Sequence, residues 1–426
     1  MRTLARLPVL ACVLAVPLFL SAQAPAPPDP QPDGDSFWAA GLFDEAENAY
    51  GRAVAANGAD ARAHHGRARI LASRGQLDAA LAEALSAVEL SPADAEVHHT
   101  AGFIYQRQRR FRDASREYTA YLNLLSRRDR SVRGTWTRAE IRFLNSFDGR
   151  APMEIAGTQQ SWTVPIRIEH EKVLVTVRIN GGRSSEFVLD TGAEQTVVSR
   201  DVARRTGVVP ITYMQTAGVG DAGLRGLQIG RIDRLEVGGL KVSNVPCVIK
   251  NPPLGALPTR EPESFSPVAL GLSMRVDYAR RELTMARSLP ETRYETTLPL
   301  RLYRLATVRG TVNGRPASFV VDTGGEVISI SQATAEQVPA AREFRRIPLK
   351  VYGTSGWDKS AFLMPNVDLE FESIRFSRIP VVVLNLSAPS ELLGFRLGGI
   401  VGHKFLSKYR VSIDLARSVV GLDSGS

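Results

Sequence analysis

The stretch FVLDTGAEQTVVS, Phe187 to Ser199, returns as FVVDTGGEVISIS, Phe319 to Ser331, 132 residues later and identical at seven of thirteen positions. In both copies an Asp-Thr-Gly closes an apolar run and a Glu stands two residues after the Gly. One Asp-Thr-Gly is an ordinary way to end a strand. Two in the same context raise the question of a single shared site.

The copies keep step beyond the motif. The first continues through SRDVARRTG, which reads as a short helix, to VALG at Val268 to Gly271; the second continues through SQATAEQV to GIVG at Gly399 to Gly402. Asp190 precedes Gly271 by 81 residues and Asp322 precedes Gly402 by 80. RVDYARREL and RVSIDLARSVVGL then read as closing strands. From about Trp162 onward, period-two alternation is punctuated by Asn-Gly turns, with Asn180-Gly181 and Asn313-Gly314 each leading into one motif, the signature of antiparallel hairpins. The spacing predicts two all-β units, residues 162–287 and 294–423, joined by SLPETR at 288–293.

A strand ending in Asp-Thr-Gly, a later apolar pair with Gly and a closing strand resemble the aspartic peptidase lobe, and both units resemble its retropepsin-like branch. The resemblance implies a pseudo-dimer in one chain, with Asp190 and Asp322 as the catalytic pair. Two carboxyls so close share one proton, because like charges cannot both ionise there. The charged one draws a proton from water and the neutral one protonates the scissile carbonyl. Thr191 and Thr323 would bond across the axis, while Gly192 and Gly324 permit the tight turn and offer amides. The family also covers its cleft with glycine-rich flaps. AGVGDAG, holding Gly218, Gly220 and Gly223, and VYGTSGW, holding Tyr352, Gly353 and Gly356, occupy the corresponding places.

Two departures stand out. Gly271 to Arg275 spans four residues and Gly402 to Arg410 eight, so the first lobe is expected to lack the helical turn that HKFLSK supplies in the second. Gly325 replaces the small Ala usual after the motif. Gly218, Gly220 and Gly223 also match G-x-G-x-x-G, but LRGLQIG follows instead of a helix, which argues against a dinucleotide site. His403 has no Ser or Cys in a nucleophile context beside it. It reads as a packed or surface histidine.

Residues 36–127 are rich in Ala, Glu, Arg and Leu at helical periodicity, with a 34-residue period: Gly41, Gly75 and Arg109 correspond, as do Phe43, Leu77 and Phe111, and Ala46, Ala80 and Ala114. This resembles the tetratricopeptide repeat over roughly two and a half units and implies a protein-interaction role. The fold class is therefore multidomain: all-α repeats, then two all-β retropepsin-like lobes. The helices hold no plausible nucleophile or paired acids, so they are expected to influence which substrates are met without supplying chemistry. Residues 128–161 read as a linker, within which TWTRAEIRFLNSF is a candidate to pack against the last repeat. His64-His65 and His98-His99 share the period. With no Cys or carboxylate recognised in their register they read as packing or surface residues, and no metal or organic cofactor is expected.

Residues 1–24 carry two arginines, an apolar run from Leu7 to Leu20 and Ala22-Gln23-Ala24, which reads as a secretory signal peptide too short to span a bilayer. A proline-rich tether, residues 25–35, follows. The mature chain is then expected in the periplasm or outside the cell, without a transmembrane span, in a bacterial source suggested by the Ala and Arg bias. Loss of the signal removes Cys12, leaving Cys247 without an intrachain disulfide partner. The net charge of +9 falls to +7 with Arg2 and Arg6, and the basic residues are scattered, as on a solvated surface, so nucleic acid is not expected as a partner. The reading is an exported aspartic endopeptidase acting on protein or peptide. Its rivals are a non-catalytic scaffold holding peptides in a protease-like cleft, and lobes that each pair with another molecule.

Overall fold

The computed structural model describes residues 33–250, 263–338 and 346–424. The expected signal peptide, and the tether up to residue 32, lie outside the described residues. Helix begins inside the expected tether, at Gly34, because Asp33 caps it by accepting the Ser36 amide at 2.8 Å and Trp38 is buried. Seven helices follow one another: α1 Gly34–Ala39, α2 Phe43–Ala56, α3 Ala61–Ser73, α4 Leu77–Leu90, α5 Ala95–Arg107, α6 Phe111–Leu124 and α7 Val132–Asn145. Ala46, Ala80 and Ala114 are fully buried, so each lets its helix approach a neighbour closely. The expected linker at 128–161 is corrected by α7. Its Trp136, Phe143 and Leu144 bury against α6 residues Phe111 and Tyr118, completing the last repeat.

The repeated histidines do have carboxylates in register. His64 Nδ1 pairs with Glu83 at 2.5 Å and His98 Nδ1 with Glu117 at 2.9 Å, while each Nε2 meets a backbone oxygen, of Gly58 or Pro92. The period thus extends to Glu83 and Glu117, a correction to the sequence reading. Each pair ties the first helix of a repeat to the second.

The β region forms two large sheets. A nine-stranded sheet belongs to the first lobe, and a thirteen-stranded sheet runs from the second lobe through six strands shared between the lobes. At its centre, Tyr409–Asp414 pairs antiparallel with Ser273–Asp277, setting Met274 opposite Ile413 and Val276 opposite Val411. Glu282–Ala286 and Ser161–Pro165 continue on one side, Val419–Ser424 and Thr296–Tyr303 on the other. One closing strand of each lobe therefore hydrogen-bonds the other. The two lobes pair within one chain, and one apolar core extends from Trp162 to Leu422 across both. Cys247 lies buried in it with a free thiol.

The helical layer is packed on the lobes along the edge of its repeats. Gly41, Gly75 and Arg109, the three corresponding turn residues, all adopt left-handed backbone. The Gly41 carbonyl accepts from Ser318 of the second lobe at 2.7 Å; Gly75 faces Leu415 and Ser418 beside the shared sheet; Arg109 donates to Leu270 of the first lobe at 2.8 Å and to Met153 at 2.9 Å. Glycine enters this backbone region freely, and Arg109 is held in it by those two bonds. Around these points Trp38 and Phe43 stack edge-on against Phe395, Arg309 forks onto Glu45 at 2.6 and 2.8 Å, and the buried Arg301 meets Asp44. At the far end α7 covers Met214 and Ile229 of the first lobe.

Among the described residues no helix is long and apolar enough to cross a membrane.

This packing predicts that the helices are not a detachable module. A chain lacking residues 33–145 bares the apolar faces under Trp38, Phe43 and Phe143 and is expected to lose cooperative unfolding and resist purification as a monomer. Phe395→Ala, a milder cut at the same seam, is expected to cost roughly 3–5 kcal/mol in denaturant titration.

Candidate active site

Each Asp-Thr-Gly leaves a strand buried on both faces. Ser185–Leu189 runs parallel to Glu263–Phe265, and Asp190 N donates to Phe265 O at 2.9 Å; Arg315–Val321 runs parallel to Gly399–Val401, and Asp322 N donates to Val401 O at 3.0 Å. Phe265 is therefore the counterpart of Val401, and Ser266 of Gly402. This corrects the alignment of Val268–Gly271 with Gly399–Gly402, whose near-equal spacing was coincidental. It also removes the expected deletion, because the turn of 3-10 helix at Val268–Leu270 stands where His403–Leu406 stands in the second lobe.

The two loops are locked together by threonines. Thr191 Oγ1 donates to Val321 O at 2.6 Å and accepts from Thr323 N at 3.1 Å; Thr323 Oγ1 donates to Leu189 O at 2.7 Å and accepts from Thr191 N at 3.1 Å. Both side chains are buried, and every bond crosses between lobes. The glycines do more than allow a turn. A Cβ on Gly192 would stand 2.5 Å from Asp322 Cγ, and one on Gly324 would stand 2.7 Å from Asp190 Cγ, so each carboxyl lies against the opposite loop's backbone. Any larger residue there would push the carboxyls apart.

The Asp190 and Asp322 carboxyls adjoin across the axis, each against the opposite loop, and their surroundings differ. Asp322 Oδ1 accepts from Gly324 N at 2.8 Å and Gly325 N at 2.9 Å. Burial, then the adjacent Asp322 charge, pushes the Asp190 carboxyl up to about 7, against the opposing hydrogen bond from Ser264 and the charge of Lys172. Lys172 donates through Nζ to Gly324 O and so buttresses the loop from the first lobe.

Two sequence families match the lobes, one described as aspartyl protease at residues 175–273 and one as gag-polyprotein putative aspartyl protease at 308–408; tetratricopeptide repeat matches 33–95. The chain carries two lobes similar to retropepsin-like aspartyl protease domains behind amino-terminal tetratricopeptide repeats. No curated protein matches it in sequence. Among solved structures, the crystal structure of aspartic proteinase from Irpex lacteus matches at 11% identity and a TM-score of 0.41, over 62% of this chain and 98% of that one.

The two glycine-rich segments come together. Ala217 to Gly223 forms the tip between strands Val209–Thr216 and Arg225–Val237, and Tyr352-Gly353 pairs with Gly356-Trp357 in a small hairpin. Ser355 N donates to Val219 O at 2.9 Å, Ser355 Oγ accepts from Gly218 N at 3.1 Å and donates to Gly223 O at 3.0 Å, and Asp221 N donates to Trp357 O at 2.9 Å. Gly220 and Gly353 allow the contact, since a Cβ on either would fall 2.4 Å from the opposite tip's backbone. Tyr352 stacks edge-on with Trp357.

Several residues of the site escaped sequence reading. Ser264 and Lys172 carry no motif. Glu194, the Glu common to both copies, forms an ion pair at 2.9 Å with the largely buried Arg304 of the other lobe, whose guanidinium lies 4.9 Å over the Trp136 ring of α7. The repetition of that Glu was the available signal. Its partners were invisible without the fold. His403 is buried, its backbone N bonded to Gly325 O at 2.8 Å and its ring against Tyr278, so it supports the second loop by packing.

Thr191→Val keeps the shape but orphans Thr323 N and Val321 O. It is expected to destabilise the chain by roughly 1–3 kcal/mol for each group left unpaired, measured by denaturant unfolding.

Proposed function

We propose that this protease is an exported aspartic endopeptidase in which Asp190 and Asp322 activate one water. The single observation that carries the reading is the adjoining pair of carboxyls, each against the opposite loop, with unequal surroundings. Asp322, supported by two amides, is the base that takes a proton from the water; Asp190, protonated, gives its proton to the scissile carbonyl oxygen as the water oxygen attacks carbon. The resulting gem-diol collapses as the nitrogen gains a proton and the C–N bond breaks. The joined tips at Ser355 and Val219 act as flaps that hold an extended peptide and exclude bulk water. The amino-terminal stretch supports export to the periplasm or beyond, and the helical layer supports a role in selecting protein substrates. A non-catalytic peptide-holding cleft is the second reading, favoured by the tip-to-tip bonds that close the flaps in this state.

Cleavage of an internally quenched peptide blocked at both ends tests the endopeptidase. Asp190→Asn and Asp322→Asn are each expected to lower kcat by at least about a thousandfold while the chain stays folded, and a hydroxyl-bearing transition-state mimic is expected to bind the wild type far more tightly than the substrate. Full activity in either variant overturns the dyad; binding of the mimic without any turnover supports the holding cleft. Mixing the two variants is expected to restore nothing, since each chain lacks one of its own carboxyls.

The active pair holds one proton. Activity is therefore expected to fall as pH rises through about 7, where Asp190 loses its proton, and to fall again in acid as the second carboxyl gains one. A kcat/KM profile from pH 3 to 9 checks both limbs.

A further inference from the structure

A cavity of about 420 Å³ lies between the helical layer and the lobes. Its floor is the loop leaving the first Asp-Thr-Gly, with Thr191 and Ala193 to Thr196, and its opposite wall comes from Trp136 and Glu140 of α7, from Arg107 at the end of α5 and from Arg109 of the turn after it. The size suits a short stretch of peptide, and Phe103, Met214 and Leu300 supply apolar wall.

The charges inside are unbalanced. Arg304 is matched by Glu194, but neither Arg107 nor Arg109 has a carboxylate within ion-pair distance among the described residues. Both donate only to backbone carbonyls. Arg107 does so through Nη1 alone, to Ala72 O and Leu302 O at 2.6 Å each, and its Nε and Nη2 make no bond among the described residues. Trp136 Nε1, a donor, is buried without an acceptor, and Glu140 Oε2 is buried without a partner. Glu140 is the one other acid on the wall; burial raises its carboxyl to about 7, so it is largely neutral where the carboxyl pair holds its working proton. A half-buried guanidinium without a counter-charge gains from a ligand anion that supplies a charge-assisted hydrogen bond.

We propose that this chamber is a carboxylate-binding site walled by the helical repeats, taking the C-terminal carboxylate or an acidic side chain of a peptide. The proposal goes beyond the peptidase reading and names a ligand class for a second site: peptides carrying a carboxylate. The repeats thereby act as a wall of the site itself.

Equilibrium retention tests it without requiring turnover. Immobilised full-length chain carrying Asp322→Asn is exposed to three randomised octapeptide pools free of Asp and Glu unless stated: one with free C-terminal carboxylates, one amidated, and one amidated with a single Glu. The free-acid pool, the Glu pool or both are expected to be retained about tenfold or more over the amidated pool, and which one identifies the carboxylate's source. Adding Arg107→Gln, confirmed folded by near-UV circular dichroism, is expected to abolish the preference. Where that variant fails to fold, Trp136→Phe keeps the ring, removes the donor, and is expected to lower the preference severalfold. Equal retention of all pools, no retention of any, or a preference untouched by the folded variant overturns the site. Wild-type cleavage of the pools is scored separately: turnover with equal retention of all pools leaves the peptidase reading standing and removes the site, whereas retention with preference but no turnover does the reverse.

Discussion

Four hydrogen bonds between Thr191 and Thr323 and the strands that carry them hold the two halves of the site in place. Two carboxyls brought together repel once both are charged, and the pair persists only where something else fixes the geometry. Here each threonine hydroxyl both donates across the axis and accepts across it, buried from water that would otherwise compete. The six-stranded sheet shared by the lobes supports this lock from below, since Tyr409–Asp414 and Ser273–Asp277 belong to different lobes yet pair directly. Position is thereby settled by backbone and buried hydroxyls. The carboxyls are left free to differ in charge.

That difference comes from small departures from symmetry. Asp322 receives two loop amides, whereas Asp190 receives Ser264 from the adjoining strand and stands near Lys172. Related loops thus place the two carboxyls in unlike surroundings, and burial beside Asp322 raises the Asp190 carboxyl. The helical layer deepens the asymmetry. It contacts the lobes through the corresponding turns of successive repeats, and its last helix lays Trp136 on Arg304 beside Glu194 of the first loop. An Arg at the third turn, where the first two have Gly, exchanges conformational ease for two bonds to the lobes.

Sequence periodicity carried much of this. The helices, the repeat length, the two β units and the paired Asp-Thr-Gly were all legible, because period 3.6, period 2 and a duplicated motif are local signals. The failures were equally local in origin. Counting residues from Asp190 to the next apolar pair with Gly reached Val268–Gly271, but strand pairing selects Glu263–Phe265, which no small-residue pattern marks. The stretch 128–161 looked like a linker because a helix that completes a repeat array needs only one apolar face, and α7 is basic on the other. Glu83 and Glu117 sat in the His register unrecognised, since their relation lies across two helices.

By itself the sequence determined that the chain holds two copies of one carboxyl-bearing lobe and a helical repeat before them: identity and period are properties of the string. Only the tertiary structure decided that the lobes join within one chain, that Asp190 and Asp322 are unlike, and that the repeats wall a charged chamber beside the first loop. Those facts depend on strand pairing between residues more than a hundred positions apart, and on which guanidiniums and carboxyls are removed from water together. Such burial is a property of the packed whole, and no local pattern encodes it.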